Sequence, residues 1–249
     1  MDVRVKETYD EISDEAAELV LEELRKKPDC VLGLTAGSSP MGLYQRLQAA
    51  YREGRADFSR VRIFTLSEYI GLEEDNEQSF AYYTRKNFCD GLNLSEKNIC
   101  MPNGMADDIA RECARYGEAI AAAGGIDTMI LGIGPNAHIG FNEPGPCFVP
   151  ETHVVELSDA TRAANARFFD APDDVPHWAV SMGMRDIMFA RNILLLASGP
   201  GKTEALALAV AGDITPKAPA SLLQLHRGAI VIADRIAAKR LPGYECDLP

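Results

Sequence analysis

The most informative polar stretch in this chain of 249 residues is PNAHIGFNEP, at 135–144. It follows an apolar run that predicts a buried strand, and it places His138 near Glu143, with Asn136 two residues before the histidine. A histidine beside a carboxylate is suited to proton transfer at neutral pH. A lone histidine in a loop is more often structural. The glycine, asparagine, glutamate and proline residues around this one favour a functional loop.

A turn of small residues, AGSSP at 36–40, is a candidate anion site. It lies between an apolar run and an amphipathic stretch, so Gly37, Ser38 and Ser39 would stand at the start of a helix. Backbone N–H groups and hydroxyls there attract anions, because the helix dipole is positive at that end. The structural alternative is an ordinary strand-to-helix turn capped by a serine, which is common.

A second turn, SGPGK at 198–202, resembles a P-loop only in part. Leu196 stands where that motif needs its first glycine, which excludes a nucleoside-triphosphatase. Two interpretations remain. The turn binds an anion with Lys202 as the counter-charge, or Lys202 is a solvated residue at the start of a helix.

A third polar segment, SEY at 67–69, follows another predicted strand. Glu68 offers a carboxylate there and Ser67 a hydroxyl. The alternative interpretation is a surface carboxylate that caps the loop.

The elements that would position these segments are apolar runs alternating with amphipathic stretches. The predicted strands are 30–34, 61–66, 127–134, 192–197 and 229–233, and the predicted helices begin near Thr8 and Pro40 or span 107–123 and 202–211. Such alternation is typical of an α/β fold with a mostly parallel sheet and helices on both faces. No linker interrupts it, so we expect a single domain over 1–249. Ligands bind these sheets at the carboxyl ends of the strands, so the polar segments should share one cleft.

The charge balance restricts the partners. The net charge is −12, and no run of Lys or Arg forms a basic patch, so we expect neither nucleic acid nor a membrane surface as a partner. An anionic ligand would need a local positive site.

The apolar and cysteine patterns indicate the compartment. There is no N-terminal apolar signal segment and no stretch of the roughly 18 apolar residues that a membrane helix needs, so we expect a cytoplasmic protein. The six cysteines form no CxxC pair, which argues against a zinc or thioredoxin-type site and favours free thiols.

Five segments together resemble the glucosamine-6-phosphate deaminase/isomerase family: LGLTAGSSPMGLY, FTLSEYIGL, LGIGPNAHIGFNEPG, TRAANARFF and SLLQLH. They occur in the family's order and at similar spacings, and the resemblance runs from about Val3 to Leu241. It implies an open-faced Rossmann-like domain and a cytoplasmic enzyme of amino-sugar catabolism, without a cofactor or an essential metal. The family reaction converts glucosamine 6-phosphate and water to fructose 6-phosphate and ammonia.

The resemblance also implies roles for individual residues. His138 matches the histidine that helps to open the sugar ring, and Glu143 and Asn136 match its supporting residues. The phosphate ligands of the family correspond to Gly37, Ser38, Ser39, Arg167 and Lys202. Arg167 and Lys202 would supply the positive charge that the acidic chain otherwise lacks.

One departure from the family pattern bears on catalysis. The carboxylate that moves a proton between C2 and C1 is an aspartate directly before Glu-Tyr in the family, and here it is Ser67. A hydroxyl without an activator is not a base near pH 7, and Glu68 should point the opposite way on an extended segment. Losing a general base typically costs about 10²–10⁴-fold in rate. Ala36 and Ala137 also replace the usual Thr and Gly.

Three functions therefore remain open. The first is an active deaminase/isomerase, a hydrolase-type deamination. The second is a pseudoenzyme or sensor that binds a sugar phosphate without turnover. The third is a sugar-phosphate lactonase that uses His138 as its base. The partner is a phosphorylated amino sugar in the first case, and a homo-oligomer is also left open. The proline-containing segments at 144–150 and 171–176 bracket a candidate lid.

Overall fold

The computed structural model describes residues 1–244, and its centre is a seven-stranded sheet. Its strands are β1 (Asp2–Lys6), β2 (Val31–Leu34), β3 (Arg62–Thr65), β5 (Ile99–Cys100), β6 (Thr128–Gly132), β9 (Asn192–Ala197) and β10 (Ala229–Asp234). They lie in the order β1-β10-β9-β6-β2-β3-β5, and all neighbouring pairs are parallel. The carboxyl ends of all these strands therefore lie along one edge.

Helices cover both faces of this sheet. They are α1 (Tyr9–Lys26), α2 (Met41–Arg52), α3 (Phe80–Asn87), α4 (Ile109–Ala122), α5 (Asp159–Asn165), α6 (Met184–Met188), α7 (Thr203–Ala211) and α8 (Arg235–Ala238). Val20 of α1 and Leu47 of α2 belong to one buried cluster, and Ile120 of α4 and Leu206 of α7 belong to another. The predicted α/β class, with a mostly parallel sheet between two helical layers in the open-faced Rossmann-like manner, is confirmed.

Local sequence explains where the first two helices form. Thr8 caps α1 by accepting the N–H of Glu11 at 3.2 Å, in agreement with the predicted start of a helix near Thr8. Gly42 allows α1 and α2 to approach closely, because a Cβ atom at that position would lie 2.2 Å from Oγ of Ser13.

The five predicted strands are the five at the centre of the sheet, and the two at its edges, β1 and β5, were missed. Central strands are buried on both faces and read as continuous apolar runs. β1 reads DVRVK and is partly exposed along its length, and β5 has only two residues. Neither gives an apolar run.

A second, antiparallel sheet of order β4-β8-β7 was also missed. Its strands are β4 (Ser67–Tyr69), β7 (His153–Glu156) and β8 (Trp178–Ser181). The sequence predicted SEY as a polar segment after the strand 61–66, but the chain changes sheets at Leu66 and SEY itself forms β4. The N–H of Leu66 bonds to Leu34 in the first sheet, and its carbonyl accepts the N–H of Met182 beside the second. Segments of three or four residues carry too little periodicity to reveal such a sheet.

Two remaining expectations concern the whole chain. Within residues 1–244, no helix combines the length and apolar character that crossing a membrane requires. Residues 245–249, the end of the single domain predicted over 1–249, lie outside the described residues.

Candidate active site

Three loops meet at the carboxyl edge of the parallel sheet. The turn after β2 touches the end of β6, because a Cβ atom on Gly132 would lie 3.4 Å from Oγ of Ser39. The turn after β9 reaches the same place, since Nζ of Lys202 donates to the carbonyl oxygen of Ile133 at 2.5 Å. The structure therefore brings together the AGSSP, PNAHIGFNEP and SGPGK segments.

The AGSSP turn presents its N–H groups at the start of α2. Gly37 has φ +108°, a conformation that favours glycine. Two tyrosine hydroxyls engage the carbonyls: Tyr83 donates to Gly37 at 2.6 Å, and Tyr9 lies 2.9 Å from the oxygen of Ser38 and 3.2 Å from that of Ser39. Within residues 1–244, the N–H groups of Gly37, Ser38 and Ser39 make no hydrogen bond, so they are free to receive an anion.

Two cations lie beside this loop cluster. Burial lowers the pKa of the Lys202 ammonium, and the nearby positive charge of Arg167 lowers it further. The guanidinium of Arg167 lies 4.7 Å from the centre of the Phe168 ring and has no ion-pair partner in the part of the chain that the structure describes. Two like charges close together favour a bound anion, and this is notable in a chain of net charge −12.

Asp234 fixes the turn that carries Lys202. Its carboxylate accepts the Ser198 hydroxyl at 2.6 Å and the Gly199 N–H at 2.8 Å, and it also caps α8 through the N–H of Ala237 at 2.7 Å. Sequence analysis missed this residue. Its position after an apolar strand identifies it as a cap but gives no sign of its contact with a distant turn.

His138 lies over a glycine at the end of β6. A Cβ atom on Gly134 would lie 2.2 Å from Nε2 of the imidazole, so only glycine leaves room for the ring. The backbone holds the loop as well, because the N–H of Gly134 donates to the carbonyl of His138 at 2.9 Å. Ala137, between them in the chain, has φ +64°, which is uncommon outside glycine.

Glu143 faces the imidazole. Its Oε1 lies 3.7 Å from Nδ1 of His138, beyond hydrogen-bond length, and both side chains are largely buried. Asn136 connects the two residues: its Nδ2 donates to Glu143 Oε2 at 2.8 Å, and its Oδ1 accepts the N–H of His138 at 3.2 Å. Burial raises the pKa of Glu143, but His138 and hydrogen bonds from Thr161 and Asn136 outweigh burial and lower it.

Ser67 and Glu68 lie on β4 with their side chains in different surroundings. Ser67 pairs with Ser181, whose hydroxyl accepts the N–H of Phe141 at 3.1 Å, so Ser67 is adjacent to the histidine loop. The Glu68 carboxylate instead accepts N–H groups at the start of α3: Ala81 at 2.7 Å, Phe80 at 2.9 Å, and that of its own neighbour Tyr69 at 2.8 Å. These bonds give Glu68 a structural role. A catalytic role would require its carboxylate to leave all three donors.

No metal centre is evident in the described range. Among residues 1–244, no group of three or more His, Cys, Asp or Glu side chains is arranged to hold a metal ion. The fold and the site together define an α/β protein that gathers unpaired N–H groups, two cations and a histidine–glutamate pair at the carboxyl edge of its sheet.

Comparison with known proteins identifies the family. The family model described as glucosamine-6-phosphate isomerases/6-phosphogluconolactonase matches residues 4–232. The chain is 49% identical, over 97% of both sequences, to a glucosamine-6-phosphate deaminase of Clostridioides difficile (strain 630). It is 46% identical to one from Thermoanaerobacter sp. (strain X514), over 97% of this chain and 96% of that protein. The chain therefore belongs to the glucosamine-6-phosphate deaminase/isomerase family.

Solved structures agree with this assignment. A monomeric glucosamine-6-phosphate deaminase has a TM-score of 0.94 and 40% identity, over 96% of this chain and 99% of the other. A 6-phosphogluconolactonase from Trypanosoma cruzi has a TM-score of 0.76 at 20% identity, over 97% of each chain, and so shares the fold alone.

The buried Glu68 generates a prediction about stability and pH. Burial raises the pKa of Glu68 to about 7, although three N–H donors favour the charged form. The usual pKa of a glutamate in an unfolded chain is about 4.3. A carboxyl whose pKa is higher in the folded state contributes stability that is full at low pH and is lost as the pH rises through the folded value. We therefore expect Glu68→Gln to destabilise the protein more at pH 5 than at pH 8, by about 2 kcal/mol.

Urea unfolding at the two pH values measures this difference. The matched control is Glu77→Gln, at an exposed glutamate of the same connection, which should show no such dependence. A cost that is equal at both pH values, or larger at pH 8, would contradict the expectation.

Proposed function

We propose that the protein is an enzyme that converts glucosamine 6-phosphate and water to fructose 6-phosphate and ammonia. The observation that carries the proposal is the bond from Lys202 to the carbonyl of Ile133. It joins a cation of the anion site to the loop that holds His138, so one ligand can contact both. Relatives at 46–49% identity over nearly the whole chain are glucosamine-6-phosphate deaminases, which supports turnover and leaves the pseudoenzyme alternative without support.

The phosphate would bind at the N-terminus of α2. The free N–H groups of Gly37, Ser38 and Ser39 supply neutral donors, and Arg167 and Lys202 supply charge. Hydrogen bonds from these donors to the charged phosphate oxygens are charge-assisted. Charge-assisted hydrogen bonds are about twice as strong as hydrogen bonds between neutral groups. The acidic remainder of the chain makes this local site the main attraction for an anion.

His138 would act as the acid–base group in opening of the sugar ring. Its imidazole has one nitrogen near Glu143 and the other over Gly134. The ionised Glu143 would stabilise the imidazolium that forms when His138 takes a proton, and Asn136 would hold the two side chains in register. A proton then moves from C2 to C1, and water releases the amine as ammonia from the resulting imine.

Ser67 is the point at which this enzyme departs from its family. In the family pattern a carboxylate at this position moves the proton between C2 and C1. Ser67 is only 6% exposed and lies on β4, so it is buried beside the histidine loop but cannot act as a base without an activator. We propose that its hydroxyl contacts the substrate while another group carries the proton.

The remaining attributes follow from this function. The substrate is a small phosphorylated amino sugar, and the enzyme works in the cytoplasm without nucleic acid or membrane partners. The oligomeric state stays open, and a homo-oligomer remains one alternative. The role of the region between 144–150 and 171–176 as a lid also stays a prediction.

The first prediction of this proposal concerns activity itself. We expect the protein to release ammonia from glucosamine 6-phosphate. Lys202→Ala should raise KM about 10–100-fold, because a hydrogen bond to a charged group contributes about 1.5–3 kcal/mol. A coupled ammonia assay measures both values. If the sugar phosphate stabilises the protein but no ammonia is released, the proposal is wrong. If the protein hydrolyses a sugar-phosphate lactone and His138→Ala abolishes that activity, the lactonase alternative is favoured.

The second prediction concerns the glycine beneath the imidazole. Gly134→Ala places a methyl group where Nε2 of His138 now lies, so the ring must move. We expect kcat to fall about 100-fold, since a displacement of about 1 Å can cost that much. Gly117→Ala on α4, where a Cβ atom would meet nothing within 4 Å, is the control and should keep full activity. Wild-type kcat in a folded Gly134→Ala variant would refute the requirement for glycine.

The third prediction concerns the missing carboxylate. Ser67→Asp restores a base at the position that carries one in the family, so we expect kcat to rise about 100-fold. The ammonia assay measures the change, and circular dichroism checks that the buried charge has not unfolded the protein. Equal or lower turnover in a folded variant would contradict the expectation that a carboxylate at this position speeds the proton transfer.

A further inference from the structure

The first turn of α5 holds the Glu143 carboxylate. The hydroxyl of Thr161 donates to Oε1 in a short hydrogen bond, and Oγ of Ser158 lies 3.3 Å from Oε2. Ser158 also caps α5 by accepting the N–H of Thr161 at 3.2 Å. Thr161 is only 2% exposed, so water does not compete for its hydroxyl. The acid–base loop is thus bound to a helix that lies 15–18 residues further along the chain.

The oxygen that Thr161 binds is the one that faces His138. Oε1 lies 3.7 Å from Nδ1, and Nδ1 has no hydrogen-bond partner in the described part of the protein. The position of Oε1 is therefore set by Thr161 and not by the imidazole. Loss of the hydroxyl would leave a buried carboxylate oxygen without the donor that Thr161 supplies and free to move relative to His138.

The same bond affects the charge of Glu143. The hydrogen bond from Thr161 stabilises the ionised carboxylate and lowers the pKa of Glu143, whereas burial raises that pKa. The other titratable groups around Glu143 are His138 on its own loop and, on β7, His153 and Glu156. Those two line a cavity of about 330 Å³ together with Glu143. Asp159 on α5 is exposed.

We propose that Thr161 is a positioning residue that keeps Glu143 ionised and oriented beside His138, and that α5 thereby controls the acid–base pair. The inference rests on the proposed function of this site. α5 continues directly into the turn Ala166–Phe168, which contains Arg167. One short segment therefore holds both the carboxylate of the acid–base pair and a ligand of the phosphate.

Kinetics against pH test this role. Thr161→Val keeps the shape of the side chain but removes the donor, so the pKa of Glu143 should rise. We expect the acidic limb of the kcat/KM profile to move up by about 1 pH unit, because this shift corresponds to the loss of one hydrogen bond to a charged group. At pH 7, kcat should fall about 10-fold while KM changes less than about 3-fold.

Two further variants separate positioning from packing. Thr161→Ser keeps the hydroxyl and should retain the wild-type pH profile. Thr84→Val, at a buried threonine of α3, should also leave the profile unchanged. If Thr161→Val keeps the wild-type profile, or if Thr161→Ser shifts it as far as Thr161→Val does, the hydroxyl does not set the state of Glu143.

A measurement without substrate distinguishes failure of this inference from failure of the proposed function. The ¹³C signal of the Glu143 carboxyl, assigned with Glu143→Gln, reports the pKa of Glu143 directly. A higher value in Thr161→Val than in the wild type and in Thr161→Ser supports the positioning role, even in a protein that releases no ammonia. Equal values in all three proteins overturn it, even in an active deaminase.

Discussion

The ammonium of Lys202 bonds to the carbonyl oxygen of Ile133, and the geometry of the site depends on that contact. It connects the turn after β9 to the loop after β6, and so it places a positive charge beside the histidine loop. Burial and Arg167 both disfavour the charged form of Lys202. The carbonyl dipole offsets part of that cost, and an anion bound between the two cations would offset more. Asp234 supports the arrangement from behind by fixing the turn that carries the lysine.

Two glycines allow the close contacts and the tight turn of this site, and two tyrosine hydroxyls bond to the carbonyls of the AGSSP turn. Gly134 leaves room for the imidazole of His138, and Gly37 adopts the positive φ of its turn. Tyr9 and Tyr83 engage the carbonyls on the other side of that loop. The proposed phosphate site would therefore be built mainly from backbone groups, in a loop that is held by residues that need not touch the ligand.

The antiparallel sheet gives the two residues of β4 different roles. Ser67 lies across from Ser181 and hence beside the histidine loop, whereas Glu68 stabilises the start of α3. This division explains how the position that carries an aspartate in the family pattern can carry a hydroxyl here without loss of the fold. The carboxylate that stabilises the start of α3 belongs to the neighbouring residue, Glu68, which this chain shares with the family pattern.

Sequence by itself determined the central strands, the cap of the first helix and the polar turns. Apolar runs such as NILLLA, the Thr8 cap and the AGSSP turn depend on residues a few positions apart, so short-range patterns reveal them. The resemblance to the family added His138, Glu143, Arg167 and Lys202 as candidate site residues with expected roles. Only the tertiary structure decided which N–H groups Glu68 accepts, the bond from Thr161 to Glu143 and the roles of Asp234, Tyr9 and Tyr83. Those contacts join segments that are distant in the chain, or they depend on the packing around them. No local sequence pattern encodes which buried donor will bond to which buried carboxylate.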